Sequence, residues 1–219
     1  MDVWAIPLSV SAKTTIVKIA APLKDMNPIT HFLAGWAVAN IDHLERRERA
    51  AVAVAGIVPD LDAAGIVAEK LTLGWDRPLL WWTDYHHILT HNVGFCTLLA
   101  IVVFVISRKK WLTVALAVAS FHLHLIGDLI GARGPDGHQW PIPYFLPFSD
   151  TPQWAWSGQW AINAWPNIVI TLALLGLAGF LAWRRGFSFV DMVSPRADAA
   201  FVAALRARFG TPTRRGIVS

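Results

Sequence analysis

The sequence predicts an all-α integral membrane protein, a helical bundle of about five hydrophobic helices, on three observations. The 219-residue chain is 55% hydrophobic and 16% charged, with a mean hydropathy of +0.45, whereas soluble domains carry about 25% charged residues. Uncharged runs of helical length recur and stop at basic clusters. The 12 Trp gather at segment edges and in one loop, as interfacial anchors do. A disordered, collagen-like or disulfide-stapled chain is excluded. The single Cys96 lies in an apolar run, so a buried thiol is expected.

Residues 1–25 stand apart, because Lys13, Lys18 and Lys24 interrupt every apolar run and Ile6 to Val10 is too brief for a signal core. They read as an N-terminal extension, either upstream of a true start at Met26 or forming an interfacial helix. Two short apolar stretches follow, Ile29 to Ile41 and Ala50 to Val58, separated by the charged turn Asp42 to Arg49. Each is too short to cross a bilayer unaided. They are expected to form a hairpin that spans a thinned region or lies half-buried beside longer helices, with spanning preferred.

Val93 to Ser107 is uncharged and ends in Arg108-Lys109-Lys110, and Trp111 to Ala132 follows after almost no loop, so these two form an antiparallel hairpin. Gly134 to Pro166, rich in Pro and Trp, reads as a long structured loop of the kind that is commonly functional. Asn167 to Trp183 is wholly apolar and stops at Arg184-Arg185. It is the cleanest span in the chain.

The main domain is thus 26–185, and 186–219 is a basic tail. From Arg184 onward the chain holds Arg184, Arg185, Arg196, Arg206, Arg208, Arg214 and Arg215 against Asp191 and Asp198, so this end outweighs the chain's net charge of +4. Ser194-Pro195 starts and Gly210 stops a short amphipathic helix with Phe201, Leu205 and Phe209 at spacing four. It is expected to lie on a cytoplasmic membrane surface attracted to anionic lipid, and nucleic acid is not the expected partner.

If the basic clusters at 45–49, 108–110 and 184–185 all face the cytoplasm of a multi-pass inner (plasma) membrane protein, the opposite helix ends share the extracytoplasmic side. Those ends carry Thr30-His31, Pro59-Asp60-Leu61-Asp62, His86-His87-Ile88-Leu89-Thr90-His91 and His124-Leu125-Ile126-Gly127-Asp128. Charged groups at membrane depth are costly and persist mostly where function holds them.

Spacing supports a metal site. His124 and Asp128 stand four apart on one helix face, within reach of one ion, and His87 and His91 share that offset. Asp60 and Asp62 follow a proline and can converge on a cation if the backbone there is extended. Ligation by His and carboxylate without thiolate suits Zn, Mn, Fe or Mg and an open hydrolytic site, with room for one or two ions. Plainer roles exist for the remaining histidines. His122 lies roughly 200° around the helix from His124 and reads as a hydrogen-bonded packing residue. His43 reads as solvated, and His138 as a surface group or a mobile additional ligand.

These motifs in this order resemble the membrane-bound metal-dependent hydrolases, also described as LexA-binding, inner-membrane-associated and YdjM-like. The family runs Met-x-x-x-Thr-His, Pro-Asp-x-Asp, His-Arg-Gly-x-Thr-His-Ser, His-x-x-x-Asp, then a Pro- and aromatic-rich loop; this chain offers Met26 to His31, Pro59 to Asp62, His86 to Asn92, His124 to Asp128 and Trp140 to Phe148. The resemblance implies a metal-dependent hydrolase, with a phosphoester suggested by a weaker likeness to zinc-dependent phospholipases C. It places His86, rather than the His87 that spacing prefers, among the ligands. Arg-Gly and Ser are replaced by His87-Ile88 and Asn92, which removes an anion contact that His87 partly restores.

The full expectation is that His31, Asp60, Asp62, His86, His91, His124 and Asp128 hold one or two divalent ions, zinc before Mn, Fe or Mg, with His87 and His138 as additional candidates. Thr30 and Thr90 orient those ligands. Membrane lipid is the expected partner and a phosphoester or lipid-linked molecule the expected substrate; association with LexA follows from the family alone. The rival readings are an intramembrane ion or proton transporter built on the same cluster, and a catalytically degenerate membrane regulator.

Overall fold

The computed structural model describes residues 28–134 and 137–212. In chain order it contains α1 (Pro28–Ala39), α2 (Arg46–Ala55), a 3-10 turn over Val58–Ala64, α3 (Gly65–Thr72), α4 (Trp81–Tyr85), α5 (Val93–Ile106), α6 (Lys110–Gly131), α7 (Trp165–Arg185), a second 3-10 turn over Phe189–Met192 and α8 (Pro195–Phe209). All five apolar segments are helices. Among the described residues there is no strand, only the isolated bridges Arg133–Ala161 and Ile142–Trp154. The extension over residues 1–25, Met26, and Arg214 and Arg215 of the tail lie outside the described residues.

Length decides which helices can cross alone. α6 and α7, with 22 and 21 residues, are long and apolar enough, and α2 with α3 makes a third span if their 57° bend is one broken crossing. α1 and α5 have 12 and 14 residues, which at a rise of about 1.5 Å per residue fall short of a hydrocarbon core of about 30 Å. α1 packs against α2, α6 and α7, burying Leu33, Trp36 and Val38. The first hairpin therefore sits beside the longer helices, and the break after α2 falls at Pro59, which has no N–H to continue the ladder.

Close approach of α1 to α2 depends on one glycine. A Cβ on Gly35 would fall 2.7 Å from the Ala53 carbonyl oxygen and 2.7 Å from Ser120 Oγ. Gly35→Val should therefore lower stability by roughly 1–3 kcal/mol through overpacking, read as a fall in the unfolding temperature of the detergent-solubilised protein. Gly176→Val on α7, where a Cβ meets nothing within 4 Å, should cause no such fall.

The basic clusters meet at one end of the bundle. Buried Glu48 accepts hydrogen bonds from the backbone N–H groups of Arg108 (3.0 Å) and Lys109 (2.7 Å), closing the short turn before α6. Arg108 pairs with Glu45 at 3.0 Å, Lys109 Nζ donates to the His43 carbonyl, and Arg185 donates to the Asn40 carbonyl. Here the chain folds back: α7 ends at Gly186 in the left-handed conformation (φ 83°), and Arg49 holds Asp191 at 3.0 Å.

α8 matches its sequence signals, with the Ser194 side chain accepting from Ala197 N–H and Gly210 following the last turn. Its buried contacts run through Asp198, which accepts from the Ser188 hydroxyl and N–H, and Val202. Phe201 and Phe209 of the expected apolar stripe stay exposed.

The Gly134 to Pro166 loop is anchored to the other end of the bundle. Tyr144 stacks on Trp154 at 4.1 Å between ring centres. The Tyr144 and Leu146 carbonyls accept from the first amides of α5, those of Val93 and Gly94. Gln159 donates to the Asp128 carbonyl at 2.7 Å. His122 bonds the Val118 carbonyl and the Tyr144 hydroxyl, each at 2.8 Å. It is a packing residue that fastens the loop to α6. His43 is exposed in the charged turn, and Cys96 is buried in α5.

Candidate metal centre

Four separated stretches of chain converge at the end of the bundle opposite the basic clusters. α6 supplies His124 and Asp128 one turn apart, with Nε2 and Oδ2 3.0 Å from each other. α1 supplies His31, whose Nε2 lies 3.4 Å from Asp128 Oδ1. The 3-10 turn supplies Asp60, 3.6 Å from His124 Nε2. The segment before α5 supplies His91, whose Nε2 is 3.3 Å from both Asp128 Oδ2 and His124 Nε2, and His87, whose Nε2 is 3.9 Å from Asp128 Oδ2.

Three overlapping sets have one donor atom per residue, all within 4.8 Å of one another: His31, His124 and Asp128; Asp60, His91 and His124; His87, His91 and Asp128. With bonds of about 2.0–2.2 Å, two donors around one ion stand at most about 4.4 Å apart. The measured pairs at 3.0 to 3.9 Å fit that spacing.

Proton placement gives the strongest chemical reason to expect a cation. His124 Nδ1 lies 2.8 Å from the Gly56 carbonyl. A carbonyl only accepts, so Nδ1 carries a proton, and Nε2 is left to face Asp128 and His91. His91 Nδ1 likewise meets Asp62 Oδ2 at 3.2 Å, leaving its own Nε2 to face the same point. Ring nitrogens and carboxylate oxygens aimed at one another repel unless a proton or a metal ion lies between them. Correspondingly, His31 Nε2, His87 Nδ1 and both carboxylate oxygens of Asp128 are buried without a hydrogen-bond partner among the described residues, which is costly for groups of this kind.

Asp62 plays a different part from Asp60. The 3-10 backbone, rather than an extended one, turns the two carboxylates apart. Asp62 accepts from His86 Nδ1 at 2.9 Å and from His91 Nδ1 at 3.2 Å. That is the carboxylate-to-histidine support that fixes ring orientation behind a metal. His86 lies outside the three donor sets, stacked on Trp82 at 3.8 Å between ring centres, with Trp140 from the loop at 5.4 Å.

His87 occupies the left-handed region at φ 66°, which a non-glycine residue adopts only where its surroundings hold it there. That turn aims the ring at Asp128. Burial, reinforced by the neighbouring His91, keeps the His87 pKa well below the ordinary histidine value, so its ring stays neutral.

Thr90 donates to the Pro59 carbonyl and so ties the segment before α5 to the Asp60–Asp62 turn. Thr30 pairs with Thr171 of α7 at 2.6 Å, fastening helices. His138 is exposed with its ring 5.0 Å from that of Trp140, and it belongs to none of the donor sets. Asn92 caps α5: Oδ1 accepts from Phe95 N–H at 2.9 Å, and Nδ2 donates to the Ile88 and Leu89 carbonyls.

Sequence reasoning missed the roles of three contributors, Trp82, Trp140 and the Gly56 carbonyl. Of these only Trp140 carried a signal, from its place in the aromatic loop.

Fold and site together define a helical membrane protein with a buried cluster of imidazoles and carboxylates that can hold a divalent metal ion. The chain belongs to the YdjM inner membrane protein family, whose model matches residues 26–206. No curated protein and no solved structure matches it.

Proposed function

We propose that this protein is a membrane-bound metal-dependent hydrolase acting on a phosphoester or lipid-linked substrate. The observation that carries this reading is the convergence of His31, Asp60, His87, His91, His124 and Asp128, with Nε2 of His91 and of His124 turned toward one point. In the proposed assignment these six are the candidate ligands for one or two ions. Asp62 and the Gly56 carbonyl orient His91 and His124, and His86 packs Asp62 from behind.

A divalent ion there would supply Lewis acidity, polarising a phosphoryl or acyl oxygen and activating water for attack. Trp82 and Trp140, packed on His86 and His87, shield the cluster on the loop side. The site opens on the extracytoplasmic face if the basic end faces the cytoplasm, as the positive-inside rule favours.

A transport pathway needs polar groups through the whole depth of the bundle. Below the cluster the buried face of α6 holds Phe121, Ser120, Ala117 and Thr113 and no ionisable side chain, which weighs against an ion or proton relay through the bundle. The test is elemental analysis of the purified protein together with hydrolysis of chromogenic phosphoesters and carboxylic esters. Absence of metal at every stoichiometry, or ion flux in liposomes without ester cleavage, would overturn it.

A pH dependence follows from His91. Burial opposes its protonation, yet the hydrogen bonds and charges of Asp128 and Asp62 raise it to about 9, from an ordinary value near 6.5. In the metal-free protein this proton stabilises the fold fully below about pH 6.5, and its contribution is lost as pH rises through about 9. A metal must displace the same proton. Metal affinity should therefore climb by up to about tenfold per pH unit below about pH 9 and level off above it, with proton release on loading near neutral pH measurable by calorimetry in buffers of different ionisation heat.

A further inference from the structure

We propose that the groove between α3 and α4 holds the hydrocarbon chain of a membrane lipid, laid so that its ester-bearing end reaches the His/Asp cluster. The fate of that ester rests on the metal-dependent hydrolase reading. Occupancy of the groove does not.

The groove encloses about 500 Å³ and is walled by Leu61, Val67, Leu71, Trp81, Tyr85 and Leu89. Every one of these side chains is more than 40% exposed, so the surface is apolar and uncovered by the rest of the chain. The two helices are held at a set separation. A Cβ on Gly65 would lie 2.8 Å from the Trp81 carbonyl carbon, so only glycine permits that approach. Glu69 of α3 accepts from both the N–H and the hydroxyl of Thr83 on α4, each at 3.0 Å, and Thr72 accepts from Leu79 N–H at 2.8 Å. Polar bonds thus clamp the walls from outside and leave the interior to hydrocarbon.

One end of the groove is the candidate centre. Asp62 lines it, and its carboxylate, wholly buried behind the wall, supports His86 and His91. A chain lying in the groove therefore has its end within one side chain of the cluster.

The occupant follows from what the walls lack. Both Asp62 oxygens are engaged by histidines, leaving the Trp81 indole and Tyr85 hydroxyl as the polar wall groups, and these are the side chains that sit at headgroup level. An extended peptide would leave its N–H and C=O groups unsatisfied here. A soluble anion would find no cation among the wall residues. An acyl or isoprenoid chain needs neither, and the neighbouring spans place a bilayer beside the opening.

The test uses the full chain reconstituted with a glycerophospholipid bearing a photoactivatable diazirine in one acyl chain, with adducts mapped after irradiation. Adducts should concentrate on residues 61–71 and 81–89 above the level on the outward face of α7. Ala68→Trp, which fills the groove and touches no candidate ligand, should cut those adducts about tenfold, leave α7 adducts and metal content unchanged, and be mimicked by Leu71→Glu at the rim; Ala68→Ser should behave as wild type.

Equal labelling of groove and α7, or adducts indifferent to Ala68→Trp and Leu71→Glu, would overturn the proposal. So would displacement of the adducts by an apolar peptide but not by unlabelled lipid. A protein that holds no metal yet labels in the groove would defeat the hydrolase reading and leave the lipid site standing.

Discussion

His124→Ala should abolish the metal binding proposed for this cluster. The substitution removes an imidazole that, like His91, belongs to two of the three donor sets, and it uncovers a Gly56 carbonyl that no longer has a donor. The loss of affinity should exceed the about 10–100-fold that removal of a supporting residue costs, so elemental analysis of purified protein should fall to background. Asp128→Ala should do the same, since its oxygens approach His31, His87, His91 and His124.

Folding is checked by His122→Ala, two residues away on α6, whose ring serves the Val118 carbonyl and Tyr144 instead and whose loss should leave metal in place. Binding to the native state stabilises it, so a chelator should lower the unfolding temperature of wild type and His122→Ala but not of His124→Ala. Full metal occupancy in His124→Ala would remove the centre proposed here.

Asp62→Asn should weaken the metal by about 10–100-fold without abolishing it, a smaller effect than loss of a ligand. The carboxylate takes the Nδ1 protons of two rings. A neutral amide offers one oxygen and one N–H group in their place, so one of the two histidines loses its bond and with it the tautomer that frees Nε2. Competitive titration with a chelating dye separates the outcomes. Complete loss would make Asp62 a ligand in its own right, and unchanged affinity would deny it any hold on His91.

The long helices were legible because an unbroken apolar run ended by basic residues has few other readings in a chain of this composition. Ser194-Pro195 and Gly210 marked α8 through local capping chemistry alone. α3 was not legible, because Asp60, Asp62 and Gly65 interrupt the pattern just where the chain turns, and its apolar face is opposite no other core helix. The site was legible as a set of motifs on one end of the bundle but not as a division of labour.

Spacing treated Asp60 and Asp62 as equivalent; the 3-10 turn sends one carboxylate to His124 and the other to His86 and His91. Spacing also paired His87 with His91 by the offset that joins His124 to Asp128, whereas their segment is a turn with His87 left-handed. A backbone conformation forced by tertiary packing leaves no mark in the offsets between residues.

α6 runs from Lys110, where the Glu48 carboxylate caps its approach, to Gly131 beside Asp128. The helix therefore directs its partial negative pole, equivalent to about half an elementary charge, into a pocket that already holds the carboxylates of Asp60, Asp62 and Asp128. In the metal-free protein three carboxylates and this pole outweigh the one proton held by His91, so that corner of the molecule disfavours phosphate and carboxylate groups alike. On the proposed reading anionic ligands bind second, after the cation: affinity for inorganic phosphate should be nil in chelator-treated protein and return with the ion, an order set by the direction of a single helix.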